Sequence, residues 1–503
     1  MSLREGMDYV EVPFVIRGEI VDNCILQFDG RKGGISFTTP DIQRYLNQLL
    51  DLDPVAMAEF QEVRIEEVAR FLDEVGSRLD FDSNAYMQAA FRLSAITSGM
   101  TASILETTYR NFGRRFFARD NVIEYVEQRI GAQYLEGWVP TKLRDGTTSA
   151  IRAFGSRCVH VIAGNSPGVA FNTILRSAVT RSDSIIKTPS NDPLTSAAIL
   201  QTMIEIDAKH PVTRHLSSVY WKGGDERIEA RLYHPDHLEK VVAWGGFDSI
   251  KHITRYLQPG LDLITMDPKH SISVIGADVF ANDETMRAVA RRAACDMGAY
   301  NQELCANARV IYVECDAEDD AQRQQLERFG SYVYESLQAL PTTLSTAAKY
   351  VVPALQEELE GMAMFPEFYS LYRDDDRSGA VIVSKLEDVV SFAGLLGCRT
   401  ANIVPVNSID EIIKRVNSST QTVGVYPEAL KERIRNALSL RGAQIIIKLG
   451  YVARINGNGP MDGIEPERRM LKWVVDQSQD ESLTPPWEPL MPWTNSGCGQ
   501  TQR

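Results

Sequence analysis

The hydrophobic and polar positions of this chain follow two rhythms. Between Glu284 and Ala299 the apolar side chains Met286, Val289, Ala290, Ala293, Ala294 and Met297 recur at the spacing of one helix face. That spacing predicts a helix with one covered side. Val310-Ile311-Tyr312-Val313 follows as a short buried strand, which leaves Tyr300 to Ala308 as the loop between them. From 157 to 267 short apolar runs alternate with stretches of helical period. The runs are Cys158 to Ala163, Ser184 to Lys187, Ser217 to Trp221, Lys240 to Trp244 and Leu261 to Thr265. Such alternation predicts βαβ units, a parallel sheet with helices on both faces. A second α/β segment runs from about 268 to 455. Ahead of both, Tyr9 to Ile16 and Cys24 to Phe28 are strand-like and separated by Gly-rich turns, a small β appendage. Residues 41 to 130 have helical patterning with few Gly or Pro. They could pack around the mouth of a site, cover the next domain, or both.

Composition narrows the class. A chain of 503 residues with 44% hydrophobic and 24% charged residues has material for two or three domains and shows no sign of disorder. Its net charge of -14 lacks the basic field that a nucleic-acid or anionic membrane surface needs. No run of about 18 apolar residues occurs and Met1 to Gly6 opens no apolar leader, so a cytoplasmic protein without a membrane span is expected. The seven cysteines are scattered without a C-x-x-C pair, which suits free thiols rather than disulfides or structural zinc. His234-Pro235-Asp236-His237 reads as a surface turn. Glu318-Asp319-Asp320 and Asp374-Asp375-Asp376 read as solvated loops, so no metal site is expected.

Candidate chemistry gathers at the ends of the predicted strands, where parallel sheets bind ligands. Gly164-Asn165-Ser166-Pro167-Gly168 opens a helix after the first strand. Lys187-Thr188-Pro189-Ser190 follows the second, and Trp244-Gly245-Gly246-Phe247 enters a helix after the fourth. Small residues and helix starts favour close approach of an anionic ligand, although each stretch alone also fits a plain turn. No G-x-G-x-x-G is present. Cys305, on a loop between helix and strand, is either a small buried hydrophobe or a nucleophile.

Taken in this order, the Gly-Asn-x-Pro turn, the lysine turn, the Gly-Gly helix entry and the loop cysteine resemble the aldehyde dehydrogenase superfamily. The closer likeness is to its LuxC family of acyl-CoA reductases, over roughly 130 to 475, and includes Gly457 to Gly463 and Leu471 to Val474. The resemblance implies an α/β fold with a Rossmann-type cofactor domain, an α/β catalytic domain and a small oligomerisation arm. The implied division is 1–130 for the β appendage and helical region, 131–267 for the cofactor domain with 133–152 in the arm, 268–455 for the catalytic domain and 456–503 for the tail. It makes Cys305 the catalytic cysteine and Asn165 an oxyanion donor. Ser166, Lys187, Thr188, Ser190, Trp244, Gly245 and Gly246 become cofactor-binding residues.

Two departures from the superfamily pattern carry information. Thr265 stands where oxidising members keep a water-activating glutamate, which favours reduction. Ser190 stands where many NAD-selective members have glutamate, which favours NADPH. The Glu-x-Phe-Gly-Pro stretch of the superfamily is not evident near Cys398 to Ala401. The expected reaction is reduction of an acyl-CoA to the aldehyde through a Cys305 thioester. Glu303 is either a proton acceptor or a structural loop residue. An oxidising aldehyde dehydrogenase and a non-reducing acyl-holding subunit are the alternatives. An acyl-protein synthetase or acyl carrier is an implied partner. The Pro485 to Trp493 tail reads as a docked extended arm, and with 133–152 it resembles the superfamily's oligomerisation strands, implying a homodimer or homotetramer.

Overall fold

The computed structural model describes residues 9–30, 35–50, 53–142, 148–454 and 459–478. Gly457, Asn458 and the proline-rich tail lie outside the described residues. Two seven-stranded sheets form the body. In the first, five parallel strands run in the order Asp262–Met266, Lys240–Trp244, Arg157–Val161, Asp183–Lys187 and Leu216–Val219. Most of their residues are buried and none is exposed, as expected for strands covered on both faces. These are the five runs the apolar pattern marks.

The strand-like segments of residues 9–39 divide between two sheets. Phe14–Ile16 and Glu19–Val21 pair antiparallel onto the edge of the first large sheet, beside Leu216–Val219. Tyr9–Glu11, Leu26–Phe28 and Ser36–Thr39 make a separate three-stranded sheet. Phe14, Val15 and Ile16 are fully buried, so the hydrophobic gain on that edge explains why they leave the local sheet. The helices Ile65–Arg78, Ala85–Thr97, Ala102–Phe117 and Arg119–Arg129 share one continuous core with the first large sheet.

The second large sheet orders Tyr369–Tyr372, Ala380–Ser384, Thr400–Val406, Ala308–Glu314, His270–Ile275, Thr420–Tyr426 and Ile445–Lys448, parallel except for its first strand. Separate apolar cores cover its two faces. The helix Asp283–Gly298 lies on one of them, its apolar stripe buried and its start capped by Asn282, which accepts from Thr285 N at 2.8 Å. Asp319, in one of the charge runs, caps the helix Asp320–Gln338 in the same way. A fourth sheet, of Val139–Lys142, Thr148–Phe154 and Lys472–Ser478, forms an antiparallel arm. No described helix is long and apolar enough to cross a membrane.

One clasp holds the N-terminal helices to the second sheet. The Lys349 ammonium donates to the carbonyls of Ala95 at 2.8 Å, Ser98 at 2.7 Å and Met100 at 3.3 Å. A cation at that helix end also complements its partial negative charge.

Candidate active site

Strand order decides where a ligand can sit. The chain leaves Arg157–Val161 toward Asp183–Lys187 on one side and later returns to lay Lys240–Trp244 on the other. The connections therefore diverge between these two strands and open a crevice at their carboxyl ends. Gly164-Asn165-Ser166 and Trp244-Gly245-Gly246 flank that crevice. Ser166 Oγ accepts from Gly168 N at 3.2 Å and starts the helix Gly168–Val179. A side chain on Gly168 would come within 2.7 Å of the Phe112 ring, so glycine there lets the N-terminal helices close over the crevice.

From Met266 the chain passes directly to the amino end of the second sheet, at His270. The two sheets thus face each other, carboxyl edge to amino edge. Cys305 stands on the loop before Ala308–Glu314, at that amino edge. Asn165 bridges the gap, its side-chain amide donating to Glu303 O at 2.9 Å.

The cysteine loop is held in a costly conformation. Tyr300, Asn301 and Gln302 are consecutive left-handed residues, with φ of 52°, 55° and 64°, each costing roughly 1 to 2 kcal/mol without glycine. Side chains compensate from several elements. Asn301 Oδ1 accepts from Thr346 N at 2.8 Å. Buried Gln302 donates to Ala308 O at 3.0 Å and Thr400 O at 2.9 Å, and accepts from Thr400 N at 2.8 Å. Asn307 accepts from Leu304 N and donates to Asp296 O, both at 3.0 Å. Ser271 Oγ donates to Cys305 O at 2.7 Å and accepts from Thr422 N at 3.1 Å. Strain held this firmly at one loop marks a place where a side chain must be aimed.

Cys305 opens onto a cavity of about 540 Å³. One wall is apolar, from Phe112, Phe116, Val169, Leu304, Ile445 and Met461. The protein around the sulfur holds its thiol above the ordinary range, first by desolvation and then through the Asp462 carboxylate. The Gln421 side chain and the backbone N–H groups of Cys305 and Ala306 act the other way. Those amides are donors directed at the sulfur. Arg309 also lines the cavity, and burial lowers its pKa while Cys305 and Glu303 raise it. On the helix before the loop, fully buried Asp296 accepts from Gly450 N at 2.8 Å and Val452 N at 3.2 Å. Burial pushes its carboxyl up to about 7.

The cavity brings together Cys305, Asn165, Ser166, Trp244, Gly245 and Gly246. Lys187 and Ser190 lie beyond its lining, at the end of the adjacent strand. The Lys187 ammonium sits 5.8 Å from the ring centres of both Tyr220 and Trp221. Burial lowers its pKa to about 8. Thr188 is buried with its hydroxyl donating to Val219 O at 3.3 Å. Thr265 pairs with Ala243 inside its strand. Met266, Asp267, Pro268 and Lys269, rather than Thr265, reach the cavity wall, so a carboxylate stands two residues further along at Asp267. The sequence pattern gave no notice of Gln421, Arg309 or Asp462 as neighbours of Cys305. Only the Asp462-Gly463 dipeptide, a strong tight-turn signal, marked any of them.

A cysteine aimed from one α/β sheet into a crevice at the carboxyl edge of another defines an aldehyde-dehydrogenase-like protein. The chain superimposes on lactaldehyde dehydrogenase from Escherichia coli with a TM-score of 0.68 at 13% identity, covering 94% of this chain and 100% of that one. It superimposes on the NADP-dependent glyceraldehyde-3-phosphate dehydrogenase of Bacillus halodurans C-125 with a TM-score of 0.69 at 13% identity, covering 93% and 99%. Residues 60–473 match the model of the acyl-CoA reductase (LuxC) family. It is 25% identical over 420 residues to the long-chain acyl-protein thioester reductase of Photorhabdus laumondii, 83% of each chain. The chain belongs to the LuxC acyl-CoA reductase family, oxidoreductases of acyl thioesters.

Proposed function

We propose that this protein reduces an acyl-CoA to the aldehyde and free CoA through a thioester on Cys305, with NADPH as the reductant. The observation that carries the reading is the pinned left-handed loop, which spends strain to aim one sulfur into a cavity whose opposite rim is a ligand-binding crevice. Cys305 Sγ attacks the thioester carbonyl. The second N–H of the Asn165 amide and the Cys305 backbone N–H stabilise the oxyanion that develops, and the CoA thiolate leaves. The apolar wall from Phe112 to Met461 holds the acyl portion.

The residues at the crevice fit a dinucleotide. The Phe247–Thr254 helix starts at Gly246 with no side-chain cap, and a Cβ on Gly246 would meet nothing within 4 Å. Gly245, Gly246 and the helix start would take the diphosphate, with Trp244 and Ser166 beside them. Among the described residues the Lys187 ammonium makes no hydrogen bond, and with Ser190 it would take a phosphorylated ribose. Thr188 would shape the turn from behind. When bound, the cofactor supplies hydride to the acyl carbon.

The relatives' name places the acyl group on a protein, so a carrier or an acyl-protein synthetase is the second donor to test. The Val139–Lys142, Thr148–Phe154 and Lys472–Ser478 arm, with Val475 58% exposed, would pair subunits in a homodimer or homotetramer. The test is a panel of acyl-CoA thioesters scored for NADPH oxidation and thiol release beside Cys305→Ala. Equal amounts of both products from the wild type and neither from the variant are expected. Turnover by Cys305→Ala would end the proposal.

A further inference from the structure

Three carboxylates line the cavity: Asp267, Glu303 and Asp462. Glu303 packs against Gly99, its Oε1 1.8 Å from where a Cβ on Gly99 would stand, and its charge falls on Arg309 and Lys349. Asp267 is exposed on the first-sheet side. Asp462 is different. It occupies the tip of a two-residue turn, closed by Met461 N to Ile464 O and Ile464 N to Met461 O at 2.9 Å each. With φ of 50° at Asp462 and 74° at Gly463, both residues are left-handed, as this tight turn requires. The turn presents the carboxylate to the cavity, and Gln421 fixes its direction by donating Nε2 to Oδ1 at 2.5 Å. Gln421 is itself buried, with Oε1 unpartnered among the described residues and its side chain also acting on Cys305. Gln421 thus anchors the carboxylate on the wall of the cavity that Cys305 also lines.

We propose that Asp462 is the proton carrier of the acyl-transfer step, its carboxylate receiving the Cys305 thiol proton and handing it to the departing sulfur. This rests on the thioester chemistry proposed above. The Sγ–H bond breaks as the bond from Sγ to the acyl carbon forms, and the proton moves to an Asp462 oxygen. The bond from acyl carbon to donor sulfur then breaks, and that sulfur takes the proton. No oxidation state changes, and Asp462 ends as it began. The groups facing Asp462 are Cys305, Gln421, Lys269, Asp267 and Arg176. Burial and Asp267 favour its protonated form, Lys269, Arg176 and Gln421 its carboxylate, a balance suited to a group that must both take and give a proton.

The test uses Asp462→Asn and Asp462→Glu with two readouts. The first is the rate of Cys305 alkylation by iodoacetamide, followed by peptide mass spectrometry, which needs no acyl donor. Asp462→Asn removes a negative neighbour, so more thiolate is present at pH 7 and alkylation quickens. The second is single-turnover thiol release from an acyl-CoA and, in parallel, from an acyl N-acetylcysteamine thioester. There Asp462→Asn slows release by about 100-fold, and Asp462→Glu restores part of it. Alkylation and release moving in opposite directions identify a proton carrier, since a merely displaced loop would lower both. Thiol release from Asp462→Asn at the wild-type rate, or a joint fall of both readouts, overturns the assignment. Release from the small thioester alone, slowed in Asp462→Asn, sustains it and removes acyl-CoA as the donor.

Discussion

Replacing Glu467 by glutamine tests how the C-terminal segment that carries Asp462 is held. Glu467 is fully buried on the short helix Pro466–Met470. Its Oε1 receives Arg176 Nε at 2.7 Å and the Tyr125 hydroxyl, and its Oε2 receives Arg129 Nη1 at 2.7 Å. Burial alone would raise its pKa, but the two guanidinium groups outweigh that and bring it from 4.5 down to about 2. At roughly 1.4 kcal/mol for each pH unit, this stabilises the fold by about 3 kcal/mol. Breaking one side of a buried ion pair independently gives about 3 to 5 kcal/mol. Between about pH 2 and 4.5 the folded chain binds fewer protons here than the unfolded chain, so this stability is complete above 4.5 and is lost as pH falls toward 2. The assay is urea unfolding of wild type and Glu467→Gln, followed by tryptophan fluorescence, since Trp244 lies 5.6 Å from the Arg176 guanidinium. The variant should be about 3 kcal/mol less stable at pH 7, a melting temperature roughly 6 to 12 °C lower. The gap should hold down to pH 5 and narrow below 4.5. A variant within 1 kcal/mol of wild type at pH 7, or a gap that widens on acidification, would refute the reasoning.

Asn165→Ala should lower kcat by about 10²- to 10³-fold with its circular dichroism unchanged, if its amide serves the oxyanion; a loss confined to KM would remove it from that role. Gln302→Ala leaves Thr400 N–H and two carbonyls without their side-chain partner and keeps the left-handed strain. Thiol release from acyl-CoA should fall, and Gln302→Gly, which removes the strain, should recover more activity than alanine. Lys187→Met should weaken NADPH binding at pH 7 by calorimetry, and wild-type affinity should decline toward the variant's as pH rises past about 8. Because the folded pKa of Lys187 lies below 10.5, its burial destabilises the wild type most below pH 8 and less as pH rises to 10.5. Lys187→Met should therefore be the more stable protein at neutral pH in a thermal melt, and a less stable variant would contradict the lowered pKa.

The five parallel strands of the first large sheet were legible because most of their residues are buried, and burial writes itself into sequence as an apolar run. The loop bearing Cys305 was legible for a related reason, since a periodic helix and an apolar strand bound it closely. Gln421 and Asp462 were not. They are 116 and 157 residues beyond Cys305 in the chain, and polar residues that meet in a cavity leave no period behind. Thr188 shows the converse, for its neighbourhood in sequence suggested a ligand contact while its hydroxyl is spent on Val219 O. The buried pairing of Glu467 with Arg176 and Arg129 was equally silent. Each partner alone looks like a surface charge, and only packing takes all of them out of water.

Side-chain periodicity by itself determined which segments became helix or strand, that five strands of the first large sheet are parallel and covered, and that one thiol would stand on a loop between such elements. These follow from neighbours within a few residues. The order of strands within each sheet, the facing of a carboxyl edge against an amino edge, and the carboxylate that turns toward the sulfur were decided in three dimensions. They depend on which distant surfaces exclude water from one another, and that choice is settled only when the whole chain packs.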